Sequence, residues 1–319
     1  MIWLYVFIFL VCCVLLYFSG GWVIGGLMRI AKYLGWREFV VAFLVMAFAT
    51  SLPNLFVGIS SALHKIPQLS FGDVVGGNVV DLTLAIALAA LIAKGLPVES
   101  RMVQSSSIFT IVIAVLPLLL ILDGSLGRGD GIILILVFIF YLFWLFSKKE
   151  RFTKIYDDNK APLIKEFKTF LKDIGKIVLG IIALLVAAEG IVRSAQFFAN
   201  SFNLEIAVIG ILIVGLGNAI PETCFAIASA RKGQSWMILG NLMGSIIVPA
   251  TLVLGIVALI HPIEIPDFSP FAIARFFLII SALFFFFFVR TDRKITKKEA
   301  LFLLGIYIVF VLSEVLTPR

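Results

Sequence analysis

Charge is scarce in this sequence, and so are the residues that build most enzyme and metal centres. Only 14% of its 319 residues are Asp, Glu, Lys or Arg, against about 25% in a soluble globular domain. There are two histidines and three cysteines, and Cys12, Cys13 and Cys224 all lie in apolar runs with no CxxC and no His-spaced pair. A disulfide framework, a zinc site and a redox motif are therefore excluded, and the thiols read as small structural residues. His64 and His261 fall at the ends of apolar runs and are expected at the membrane interface, not as ligands. No basic residue precedes the first apolar run at 1–18 and no small-x-small cleavage site follows it. That run is expected to be a retained span, not a signal peptide.

Apolar residues fill the space that charge leaves. They make up 61% of the chain, more than a water-soluble fold of this length can bury. An integral membrane protein is the consequence. A span takes about 20 mostly apolar residues, and ten such runs are present, at roughly 2–28, 39–63, 71–93, 103–122, 131–147, 174–199, 206–230, 238–260, 270–290 and 299–316. Alternate loops hold 21 of the 26 Lys and Arg, nine of them between Lys148 and Lys176. The positive-inside rule makes those loops cytoplasmic and places both termini outside the cytoplasm. The net charge of +7 is thus loop charge, not a nucleic-acid footprint. The stretch 148–173 is a solvated cytoplasmic linker, with a short surface helix expected around Leu163–Leu171.

Residues 37–92 align without a gap onto 205–260 at a constant offset of 168, with 14 of 56 positions identical, among them Pro53/Pro221, Gly72/Gly240, Gly76/Gly244 and Thr83/Thr251. Each half then holds five spans, 1–147 and 174–319, and an odd number turns the second copy over in the membrane. The expected fold is an all-α membrane protein of ten transmembrane helices in two inverted five-helix repeats. That is the design of secondary transporters, whose sites lie near the midplane.

Both repeats put proline and a polar residue at equivalent depth, Pro53-Asn54 and Pro221-Glu222. Proline frees the carbonyl four residues earlier, and in hydrocarbon a freed carbonyl needs a partner. Asp81 lies ten residues beyond Phe71, or ~15 Å along a helix, near mid-membrane. Glu222 is comparably deep. An isolated charge there costs at least ~2.5–3.5 kcal/mol, and no Lys or Arg lies at matching depth in the second, third, seventh or eighth span. A bound cation is the natural neutraliser, with protonation as the alternative. Hard cations take carboxylate, amide and hydroxyl oxygen, which Asp81, Glu222, Asn54, Asn218, Thr50, Ser51 and Ser245 supply. Glu189 is expected to pair with Arg193 one turn on, in preference to lining an access path. Asp73 and Asn241, near the starts of their spans, read equally as caps, mouth residues or ion contacts.

The segments Ala47-Phe48-Ala49-Thr50-Ser51-Leu52-Pro53-Asn54 and Gly215-Leu216-Gly217-Asn218-Ala219-Ile220-Pro221-Glu222, with the glycine-rich spans that follow, resemble the two alpha-repeats of the calcium/cation antiporter superfamily. The resemblance is closest to its prokaryotic sodium/calcium exchanger branch and covers essentially the whole chain. It implies exchange of Ca2+ for Na+ or H+ by alternating access in a prokaryotic cell membrane, with no resident cofactor and no enzyme activity. It also implies carbonyl ligands at Ala47 and Gly215, hydroxyl ligands at Thr50, Ser51 and Ser245, and metal contacts at Asn54, Asp81 and Glu222. The sequence departs from the pattern at four places. Asn54 replaces a carboxylate, Pro249 a polar ligand, Asn218-Ala219 a Thr-Ser pair, and Gly77 a serine. Two carboxylates remain, which implies weaker calcium binding and fewer coupled sodium ions, or protons. A monovalent cation/proton exchanger or a carrier of another divalent ion is the alternative. An intramembrane aspartyl protease needs two adjacent aspartates, and Asn218 stands where the second is required. A channel fits an inverted repeat less well.

Overall fold

The computed structural model describes residues 2–33, 48, 50–98, 101–147, 163–231, 233, 235–291 and 294–317. Among these described residues the apolar runs form ten helical elements. They are α1 (Ile2–Tyr33), α2 (Leu52–Leu63), α3 (Gln68–Ile92), α4 (Arg101–Leu120), α5 (Arg128–Ser147), α6 (Leu163–Phe202), α7 (Ile206–Arg231), α8 (Ser235–Val248 continuing to Ile260), α9 (Ser269–Arg290) and α10 (Lys297–Leu316). Nine contain a stretch long and apolar enough to cross a bilayer, and α2 is a shorter apolar helix. Part of the expected second span, 39–47 and 49, lies outside the described residues, as does Ala47. The helix expected at Leu163–Leu171 is not a separate surface element: it runs without a break into α6, a single helix of 40 residues.

Burial separates the helices by role. In α3 and α8, 78% of the spanning window is buried inside the protein, against 22% in α1 and α10 and 28% in α5 and α6. The first two are the central helices, and the others turn apolar side chains such as Trp3, Phe140, Val186 and Leu312 outward to lipid. Two hydrophobic cores result. The larger joins α3, α4, α5, α8, α9 and α10 with parts of α2 and α7. The smaller is built mainly from α1 and α6 and rests on Val57, Leu69, Ile209 and Val214.

Local structure follows the 168-residue offset closely. A π turn at Asp81–Ala85 interrupts α3, and another at Pro249–Val253 interrupts α8. In each, a threonine hydroxyl donates to the carbonyl four residues back, Thr83 to Val79 and Thr251 to Ile247. In α8, Pro249 also lacks the N–H that an α-helical bond would use. Such bonds compete with the regular ladder and accommodate an extra residue in the turn. A third π turn, Gly210–Val214, lies in α7.

Two short antiparallel ribbons close the ends of the bundle. β1 (Leu96–Pro97) pairs with β4 (Lys294–Ile295), and β2 (Ser125–Leu126) with β3 (Ile263–Glu264). Each joins loops that the charge distribution assigns to one side. The same holds for Gln68 Nε2, which donates to the Glu264 carbonyl, and for Arg29, which pairs with Asp173 at 2.7 Å.

Candidate cation site between the central helices

Glycine lets α3 and α7 cross with their backbones in contact. A Cβ added to Gly72 would lie 2.5 Å from the Ala207 carbonyl oxygen, one on Gly76 would fall on the Ile211 carbonyl, and one on Gly215 would lie 2.8 Å from the Gly77 nitrogen. Only residues without side chains permit this approach. It brings the polar residues of α3 against those of α7, with α2 and α8 completing the enclosure.

At that crossing is a cavity of about 10 Å3 lined by Asn54, Val74, Gly77, Asn78, Asp81, Asn218, Ala219, Glu222 and Ser245. Its size suits one water or one bare ion. The lining residues come from α2, α3, α7 and α8, and the sequence separates Asn54 from Ser245 by nearly 200 positions. Five of the nine expected cation-binding residues, Asn54, Asp81, Asn218, Glu222 and Ser245, thus meet at one place. Thr50, Ser51 and Gly215 are buried but do not line this cavity.

The polar atoms around the cavity are incompletely satisfied. Ser245 Oγ donates to Asp81 Oδ2 at 2.5 Å, and the Leu242 carbonyl lies 3.0 Å from the same hydroxyl. Asp81 Oδ1, Glu222 Oε2, Asn78 Nδ2 and Asn218 Oδ1 are buried with no partner. Buried polar groups are almost always paired, because an orphan forfeits its hydration. Three of these four atoms are oxygens, and two belong to carboxylates, so the unmet demand is for positive charge.

Two residues that matter here were read differently or passed over in the sequence. Asn78 was missed, although it precedes Asp81 by three residues and so shares its helix face. Asp73 is not at a mouth or a cap. It is wholly buried, and both its carboxylate oxygens accept from Asn218 Nδ2, at 3.1 and 3.0 Å. Its counterpart Asn241 is also buried, with neither side-chain polar atom paired. Glu189 lies away from the cavity. It pairs with Arg193 at 2.7 Å as expected, and it also accepts from Ser60 Oγ at 2.8 Å and lies 3.2 Å from His64 Nε2.

The model of the family described as "Sodium/calcium exchanger protein" matches residues 4–147 and again residues 172–315. The chain belongs to the sodium/calcium exchanger family. It is an integral membrane cation antiporter. Two prokaryotic relatives agree with it in length as well as sequence. An uncharacterised membrane protein of Methanocaldococcus jannaschii is 27% identical over 96% of both chains, and the sodium/calcium exchanger MaX1 of Methanosarcina acetivorans is 26% identical over 88% of this chain and 90% of its own. Among solved structures, the sodium-calcium exchanger NCX_Mj soaked with Na+ and Sr2+ superposes with a TM-score of 0.68 at 26% identity, covering 98% of this exchanger and 99% of that chain.

Proposed function

We propose that this antiporter exchanges Ca2+ for Na+, both bound in turn in the cavity between α2, α3, α7 and α8. The observation that carries the reading is the set of buried, unpartnered oxygens of Asp81, Glu222 and Asn218 facing a space of one-ion size. Calcium takes six to eight oxygens in a flexible shell. The two carboxylates, the amides of Asn54, Asn78 and Asn218 and the Ser245 hydroxyl supply most of them, with water for the rest.

Two carboxylates carry a charge of −2, which one calcium ion or two sodium ions neutralise. Both cargoes therefore draw on the same ligands, and occupancy by one excludes the other. An empty site leaves two like charges in a low-dielectric interior, so crossing of the site from one side to the other is favoured only when it is loaded. That is the condition for exchange instead of leak. The support for sodium as counter-ion is the family match, since protons could neutralise the same carboxylates.

The moving part is the pair α1 and α6, which the two halves contribute as inverted equivalents. These helices share their own small core. They touch through small residues: Gly180 lies against Val23 and Ser19, and Gly190 against Cys12. The loop charge supports an orientation with both termini outside the cytoplasm.

The test is calcium uptake into sodium-loaded proteoliposomes. Asp81→Asn and Glu222→Gln should each abolish uptake while the purified variants elute as folded protein. Undiminished uptake by either would refute the site. Imposing sodium and proton gradients separately decides the counter-ion: uptake that follows only the proton gradient refutes sodium coupling.

A further inference from the structure

Asn218 can serve a cation only if its amide presents oxygen to the cavity, and the atom that sets this lies on the opposite side of the amide. Both oxygens of Asp73 accept from Asn218 Nδ2, at 3.1 and 3.0 Å, and Asn218, which lines the cavity, is left with its Oδ1 buried and without a partner. A flipped amide would set its oxygen against two carboxylate oxygens and offer N–H to the ion site. With Asp73 ionised, both contacts are repulsive. An amide's two ends are otherwise nearly the same shape, so nothing steric distinguishes them. Asp73 itself is wholly buried and does not line the cavity. It is held beside Asn218 by the glycine crossing, where Gly215 would meet the Asp73 carbonyl and Gly210 the Asp73 nitrogen if either carried a Cβ.

We propose that Asp73 is a positioning residue for ion binding, which fixes Asn218 as an oxygen ligand and acts on the cargo only through it. The proposal rests on the cavity being the transport site. It assigns to a third buried acid a role that is neither that of a ligand nor that of a helix cap. The feature that matters is the hydrogen-bond acceptor at position 73, not its charge, and the two are separable by substitution. An asparagine at this position keeps one carbonyl oxygen that can accept from Asn218 Nδ2, with an amide donor in place of the second acceptor. An alanine keeps nothing, and a serine is too short to reach, while its hydroxyl is satisfied by the carbonyl four residues back.

The experiment measures the half-saturating calcium concentration and the maximal rate of sodium-driven uptake in proteoliposomes. Asp73→Asn is expected to stay within about threefold of the unaltered protein in half-saturation. Asp73→Ala is expected to raise it by about tenfold or more, the scale on which an outer partner of a metal ligand acts, with the maximal rate nearly kept. Asp73→Ser replaces Asp73→Ala if the latter does not elute as folded protein, and the same rise is expected. Should Asp73→Asn be impaired as severely as the Ala or Ser variant, an uncharged acceptor at position 73 does not hold Asn218, and the proposal is overturned. It is equally overturned if all the variants keep normal half-saturation, or if they lose maximal rate with half-saturation unchanged. Glu222→Gln is run beside them. If it transports normally, the cavity reading fails, and that result is distinct from every outcome at position 73.

Discussion

Asn54 holds in one half the place that Glu222 holds in the other, and the two side chains line the same cavity. A neutral amide in that place leaves the site with two carboxylates, so calcium meets one fewer negative charge than a symmetric pair of acids would give it. Ligand charge is one of the main determinants of calcium affinity. Asn54→Asp is therefore expected to lower the half-saturating calcium concentration, on the order of tenfold, read from uptake against external calcium. An unchanged value would mean that position 54 does not face the ion. How far the site was legible also divides at this scale. Asp81, Glu222, Asn218 and Ser245 could be named because polar residues deep in an apolar run are conspicuous. Asn78 and Asp73 are no less buried, but what they face is set by the glycine crossing of α3 and α7, which no hydropathy pattern records. Thr50 and Ser51, expected as hydroxyl ligands beside the proline, and Gly215, expected from the resemblance, lie buried outside the cavity lining.

Among the elements, α3 and α8 were readable as spans but not as the centre of the molecule. Their apolar content resembles that of the lipid-facing helices, and what separates them is burial of 78% of each window. Glycine was the available clue. At Gly76 a Cβ would collide with the Ile211 backbone, whereas at Gly20 nothing lies within 4 Å. Gly76→Ala is expected to force α3 and α7 apart, at a cost of about 1–3 kcal/mol or more. It should lower the thermal midpoint in detergent and disperse the cavity ligands, so that uptake falls with it. Gly20→Ala should change neither. Equal behaviour of the two variants would show that the crossing does not depend on close backbone approach. The opposite misjudgement occurred at α6, whose first turns read as a surface piece because Lys165, Glu166 and Lys168 interrupt the apolar run. Charge at that spacing is compatible with a helix that simply leaves the membrane, and α6 does so without a break.

For the whole molecule, α1 and α6 are joined along their length, by the Arg29–Asp173 pair, the glycine contacts and the stacking of Tyr5 on Phe197 with ring centroids 3.9 Å apart. Contact with the larger body includes the bond from Ser60 of α2 to Glu189 of α6. If the pair moves as one, linking its two members should be harmless and linking it to the body should not. In a cysteine-free background, cysteines at Tyr5 and Phe197 joined by a short bifunctional reagent are expected to leave calcium uptake near that of the untreated protein. Cysteines at Ser60 and Glu189 joined in the same way are expected to stop it, with recovery after cleavage of the linker. Arrest by the first link would mean that α1 and α6 move against each other.

The β ribbons bear on where such motion is allowed. One ties the end of α3 to the start of α10, and the other ties the end of α4 to the end of α8. Neither engages α1 or α6. Among the described residues, the six helices that flank the ribbon strands, α3, α4, α5, α8, α9 and α10, are thus laced at top and bottom like a drum, while α1 and α6 lean on its side unlaced. Bilayer stress, whether from thickness or lateral pressure, is then felt chiefly by the unlaced pair. Lipid composition should accordingly tune the turnover rate of this exchanger more than its hold on calcium.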